Sequence, residues 1–129
     1  MKLAQRTDSE IMSICDCVRQ TAYDLHCYLG SGHLEKVYEN GLVHRLRRGG
    51  LQVDSQVPLK VHDEDGTVLG EYCADLVIES CLIVELKSAS SLHSEHVGQI
   101  LGYLRACRAR HGLLINFGTT KLQLKKLKL

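Results

Sequence analysis

Ala74-Asp75-Leu76-Val77-Ile78-Glu79-Ser80-Cys81-Leu82-Ile83-Val84-Glu85-Leu86-Lys87 is the stretch on which the reading of this chain turns. Val68 to Ile78 has an extended pattern, Glu79-Ser80-Cys81 reads as a turn, and Leu82 to Leu86 is apolar and β-branched enough for a central strand. Side chains alternate faces along a strand, so Asp75 is expected to share a face with Val77, and Ile83, Glu85 and Lys87 to share one on the next strand. With Glu79 to Cys81 as the turn, Ile78 pairs with Leu82 and Asp75 falls directly opposite Glu85. Two carboxylates facing each other on apolar strands destabilise the sheet unless a cation lies between them, and hard oxygen ligands suit Mg²⁺ or Mn²⁺. Lys87 rises on the same side as Glu85 and can hold a hydroxide or stabilise charge building on a phosphoryl oxygen. The same residues also fit a cross-strand salt bridge, with Lys87 neutralising Asp75 or Glu85 at a sheet end. The rest of the chain has to separate the two readings.

Working outward from this hairpin, the pattern changes twice. Upstream, Leu51, Val53, Val57, Leu59 and Val61 alternate with polar residues up to the turn Asp63-Glu64-Asp65-Gly66, which predicts a strand paired with Val68 to Ile78. Before that lie two helices. Asp8 to about Leu29 carries Ile11, Ile14, Cys15, Val18, Ala22, Leu25 and Leu29 at helical spacing, with Thr7 or Asp8 as cap, and Gly30-Ser31-Gly32 ends it. About His33 to Arg48 carries Leu34, Val37, Tyr38, Leu42 and Leu46, and Gly49-Gly50 stops it. Downstream, Ser91 to about Arg110 returns to helical spacing through Val97, Ile100, Leu101, Leu104 and Cys107. Gly112 then opens a buried strand, Leu113 to Phe117, and Leu122-Gln123-Leu124 begins a last one. The expected order is ααβββαββ in a single α/β domain covering residues 1–129, with no internal repeat and no linker.

Composition narrows the class of protein. A chain of 129 residues has the apolar content for one core. No stretch approaches the length of a membrane-spanning helix and the N-terminus does not read as a signal peptide, so no membrane association and a cytoplasmic location are expected. The six cysteines, Cys15, Cys17, Cys27, Cys73, Cys81 and Cys107, include one C-x-C and no paired C-x-x-C, which favours reduced, mostly core thiols over a zinc knuckle. Net charge is +1, but Glu95 is the last acidic residue. Beyond it, Arg105, Arg108, Arg110, Lys121, Lys125, Lys126 and Lys128 form either a basic surface for phosphate or a solvated face whose counter-charges come from elsewhere. Aromatic content is low and no stacking platform is visible.

Further polar residues fall beside the helical apolar stripes. Glu35 lies one turn from Tyr38 and two from Leu42, at the edge of its buried stripe. Gln99 and Tyr103 are four apart, beside Ile100 and Leu104, with His96 on the same line. Gly32-His33-Leu34-Glu35-Lys36-Val37-Tyr38 resembles the G-x-x-E-x-x-Y signature of the GxxExxY protein family. Ala74-Asp75-Leu76 followed by Val84-Glu85-Leu86-Lys87 resembles the D…E-x-K core of the PD-(D/E)XK nuclease superfamily, to which that family is assigned. Gln99-Ile100-Leu101-Gly102-Tyr103 is similar to the Q-x-x-x-Y motif of its exonuclease-like branch, and Gly112 to Gly118 to the strand that follows. An E-x-K triplet alone is weak; four motifs in order, between about Ile11 and Leu124, are specific.

The resemblance implies a restriction-endonuclease-like mixed β-sheet flanked by helices. It implies that Asp75, Glu85 and the carbonyl of Leu86 bind the metal, Mg²⁺ or Mn²⁺, and that Lys87 assists the attacking water. Glu35 would add a carboxylate through water or hold a second ion, while Gln99 and Tyr103 would orient the scissile phosphate or Lys87. Alanine precedes Asp75 where the superfamily's name has proline, which supplies no ligand.

Three functions compete. The first is a metal-dependent nuclease acting on nucleic acid, with DNA ranked ahead of RNA. The second is a weak or inactive nuclease-fold protein that binds nucleic acid or a protein partner. The third is an oligomer-forming module, since Leu122 to Leu129 alternates apolar and basic residues like a lysine-guarded edge strand or one that pairs across a homodimer.

Overall fold

A computed structural model describes residues 3–129. The elements follow the expected order: α1 (Asp8–Leu29), α2 (Glu35–Arg48), β1 (Val53–His62), β2 (Val68–Ile78), β3 (Leu82–Lys87), α3 (Ser94–Cys107), β4 (His111–Asn116) and β5 (Gln123–Lys128). The cap of α1 is Thr7, whose hydroxyl accepts from the Glu10 N–H while Glu10 reaches back to the Thr7 N–H. The second and third helices are shorter than their apolar spacing suggested. Leu34 stays extended before α2, and α3 begins only after His93 and stops at Arg108, which takes a left-handed cap conformation.

The five strands form one mixed sheet in the order β1-β2-β3-β4-β5. Neighbours are antiparallel except β3 and β4, which run parallel and are joined through α3. The central strands β3 and β4 are buried on both faces, as their continuous apolar sequences require. α1 and α2 cover one face, where Val18, Leu42, Leu76, Val84, Leu113 and Phe117 meet. Tyr38 stacks on Phe117 there, ring centroids 4.6 Å apart, and donates its hydroxyl to the Gly30 carbonyl at 2.6 Å, closing the α1–α2 turn. α3 covers the other face, packing Ile100, Tyr103 and Leu104 on Val57, Ala74, Val77 and Ile83. Gly112 lets this helix approach, since a Cβ there would lie 3.0 Å from Ile100 Cδ1.

Simple alternation fails at one place. Val53 packs with the α1–α2 layer, but Val57 and Leu59 pack with α3; on β2, Leu76 and Ile78 go to the first layer, while Ala74 and Val77 go to the second. Both strands therefore exchange faces near Gln56 and Asp75, and Gln56 has φ of +52°. The alternation of Leu51, Val53, Val57, Leu59 and Val61 with polar residues therefore does not mark a single face of β1.

Two surface expectations also change. All six cysteines are free, as expected, but only Cys15 and Cys81 are buried; Cys17, Cys27 and Cys73 are exposed. Two members of the basic C-terminal run find their counter-charge on α1. Asp8 receives Arg110, His111 at 3.0 Å and Lys128 at 2.9 Å, while Lys126 donates to His111. This cluster sits at the start of β3 and β4, the end of the sheet away from Glu85 and Lys87.

Candidate active site

The β2–β3 ladder runs from Ile78↔Leu82 to Leu76↔Val84, which extends to Asp75 opposite Glu85, as the turn length demands. At that step the pairing passes from backbone to side chains. The Asp75 N–H donates to Glu85 Oε1 at 2.8 Å, and the Leu86 N–H donates to Asp75 Oδ2 at 2.8 Å. Beyond it the strands part: β2 continues with β1 as a two-stranded arm, and β3 continues with β4. The carboxylates thus sit in a fork, each holding a backbone donor that the ladder no longer satisfies.

Their environments differ. Glu85 is 3 % exposed, and its carboxyl is pushed up to about 8, first by burial and then by the charge of Asp75. Lys87 offsets part of this but forms no ion pair among the described residues. The cross-strand salt bridge considered from sequence is therefore not formed. Glu35, in the first turn of α2, comes from the other helical layer. The residue is exposed, yet desolvation of its carboxyl raises its pKa, with Asp75 next among the causes and Lys87 opposing. Tyr103 enters from α3, and its hydroxyl accepts from Gln99 Nε2 at 2.9 Å. Burial, and then the charge of Glu85, push it up to about 12, so it stays a protonated donor at neutral pH.

The fork thus gathers Glu35, Asp75, Glu85, Lys87 and Tyr103, with Gln99 attached through Tyr103. His96 lies apart, its Nδ1 accepting from the His93 N–H at the start of α3. Leu86 meets Asp75 through its N–H.

Two further residues belong to this assembly. Glu39, 5 % exposed, accepts from Lys36 and from Gln56 Nε2 at 2.7 Å, and the same Gln56 nitrogen lies 3.4 Å from Asp75 Oδ1. Gln56 joins the buried carboxylate of α2 to the fork, in a backbone conformation uncommon for a side chain of its size. Glu39 had a signal in the sequence, standing four residues after Glu35 on the same helical face. Gln56 had none.

The donor set is all oxygen, and a buried carboxylate beside a second one fits a hard divalent ion. Among the described residues no three His, Cys, Asp or Glu side chains form a ready-made cage. Asp75 and Glu85 are the close pair, with Glu35 and Glu39 behind them. Basic side chains line two grooves: Lys36, His44, Arg47 and Arg48 one between α2 and β1, where Lys36 pairs with Glu39 and Arg47 donates to the Val53 carbonyl, and Arg105 and Arg108 another between α3 and the β1–β2 arm.

A sheet forked around D…E-x-K with helices on both faces defines the nuclease fold that the motifs anticipated. The model of the PD-(D/E)XK nuclease superfamily matches residues 12–127, and the chain belongs to that superfamily. Its members generally use divalent metals such as Mg²⁺ and act on nucleic acid. Among solved structures, the crystal structure of SSO0001 is similar, with a TM-score of 0.60 and 20 % identity over 72 % of this chain. The match spans 48 % of that chain, about half its length, and shows the shared fold. No curated protein matches the sequence. Among the described residues no helix is long and apolar enough to cross a membrane.

Proposed function

We propose that this protein is a Mg²⁺- or Mn²⁺-dependent nuclease of the GxxExxY kind that hydrolyses phosphodiester bonds in DNA, through a single domain spanning the chain. The observation that carries the reading is the Asp75–Glu85 pair in the fork, two acids left together, with Glu85 buried and its pKa raised, beside a Lys87 that forms an ion pair with neither among the described residues. Asp75 and Glu85 would hold the ion, with Glu35 or the Leu86 carbonyl completing its oxygen shell. The ion supplies Lewis-acid polarisation of the scissile phosphate. Lys87 then aligns the attacking water and meets the charge that grows on the phosphoryl oxygen. Tyr103, kept protonated by burial and the charge of Glu85 and oriented by Gln99, donates to a phosphate oxygen. Arg105 and Arg108, which form no ion pair among the described residues, offer a polyanion a basic surface beside the β1–β2 arm.

The test is cleavage of single-stranded, duplex and branched DNA and RNA by purified protein with Mg²⁺ or Mn²⁺. Cutting that disappears in EDTA and in Asp75→Asn supports the reading; no cutting of any substrate by the wild type removes it.

A second reading draws on the absence of a three-carboxylate cage among the described residues and on the hydrogen bonds of Asp75 and Glu85 to backbone N–H groups. It makes the domain a nucleic-acid-binding module that retains the nuclease fold. Under it, Asp75→Asn leaves both affinity and biological function intact. Separately, β5 is an edge strand available for homodimer pairing, which light scattering tests: a monomer at high concentration removes it.

A further inference from the structure

The two-stranded arm holds an aromatic ring beside the site that the core does not use. Because β3 pairs with β2 only from Leu76 to Ile78, the segment Val68 to Cys73 runs on with β1 alone and is exposed throughout. Tyr72 lies on this overhang, 43 % exposed and opposite Leu59, on the face turned toward α3. Its ring leans on that of Tyr103, centroids 5.2 Å apart and planes at 42°. The helix comes close at Gly102, where a Cβ would lie 3.9 Å from the Tyr72 ring. Tyr72, Gly102, Arg105 and Arg108 line, with Val61 and His62, a cleft of about 410 Å³ between the arm and α3. Neither arginine forms an ion pair among the described residues. Asp63, on the rim, turns its carboxylate to the Glu64 N–H.

The cleft is linked to the candidate site by the contact of the Tyr72 ring with Tyr103, which belongs to that site. An exposed aromatic face with free guanidinium groups next to it suits unstacked bases joined by phosphates; a duplex keeps its bases inside the stack and presents only backbone. We propose that this cleft binds single-stranded nucleic acid beside the scissile phosphate, with one base stacked on Tyr72 and the adjoining phosphates on Arg105 and Arg108. The inference rests on the nuclease reading for the direction of the strand and supplies its substrate class.

The experiment is fluorescence anisotropy with Ca²⁺ in place of Mg²⁺, using labelled oligothymidylate, labelled oligouridylate and a labelled blunt duplex. Tyr72→Ala is expected to weaken single-strand binding about tenfold, while Tyr72→Phe and every duplex affinity stay within about twofold. Arg105→Ala, on an exposed position outside the core, is expected to lower the salt slope of single-strand binding by about one phosphate contact without changing the melting temperature. Tighter binding of the thymidylate or of the uridylate names the sugar, and either supports the cleft. Unchanged single-strand affinity in Tyr72→Ala overturns it, whatever Arg105→Ala does, as does an equal loss for the duplex. Strand binding through Tyr72 by a protein that cuts nothing keeps this inference and removes the nuclease reading. Asp75-dependent cutting with Tyr72-independent binding does the reverse.

Discussion

Glu85 is a buried carboxyl beside a second acid, and this has a measurable consequence in the metal-free protein. Its pKa, raised to about 8 first by burial and then by Asp75, means that the folded state holds a proton that the unfolded chain releases at ordinary carboxylate pH. The sign follows: metal-free stability falls as pH rises from the ordinary glutamate range through about 8. Glu85→Gln keeps an oxygen for the Asp75 N–H and carries no charge. In EDTA its urea-unfolding free energy is expected to exceed the wild type's by roughly 1–3 kcal/mol at high pH and to converge with it at low pH. A gap independent of pH would contradict this account of the pair. Gln56 offers a second test at this scale. At φ +52°, Gln56→Gly is expected to be more stable than Gln56→Ala by about 1 kcal/mol, although both lose the bridge to Glu39 and Asp75. Equal stabilities would show that the backbone there is not constrained.

At the scale of elements, the loop after β3 is fixed from β4. Asn116, fully buried, accepts from the N–H groups of Ala89 and Gly118 and donates to the Ala89 carbonyl. Gly118 lies so close that a Cβ would stand 2.4 Å from the Ala89 backbone. Gly118→Ala is therefore expected to lower unfolding free energy by roughly 1–3 kcal/mol and to shift the Lys87–Ala89 segment, seen as faster amide exchange there; wild-type stability would refute the contact. The elements were largely legible in the sequence because helical and strand periods differ. Ile11 to Leu29 repeats at helical spacing, and the turn Glu79 to Cys81 sets a register that carries Asp75 to Glu85. The exchange of faces at Gln56 and Asp75 was not legible. Leu76, Val77 and Ile78 are all apolar, so the pattern does not say which residue faces which layer. Gln56 and the exposed ring of Tyr72 were missed for a related reason: their roles depend on β1, β2 and the helices coming together across long sequence separations, whereas Glu39, four residues after Glu35, carried a signal that was passed over.

At the scale of the molecule, charge is divided between two ends. Arg110 and Lys128, from the basic C-terminal run that suggested a phosphate surface, are tied to Asp8, whose carboxyl Lys128 and His111 hold well below the usual carboxylate range. Arg105 and Arg108, from the same run, form no ion pair among the described residues and line the cleft between α3 and the β1–β2 arm. The fold, the oxygen-only donor set and the flanking charge converge on Lys87 as the residue separating cutting from holding, since it lies outside the ion's ligands yet beside them. The most direct measurement is the cleavage rate of labelled DNA in Mg²⁺ by wild type and Lys87→Ala, with both proteins saturating the DNA. The account predicts cutting by the wild type and a loss of about a hundredfold or more in Lys87→Ala with affinity retained. Equal rates in the two proteins, or no cutting by the wild type at full occupancy, would contradict it.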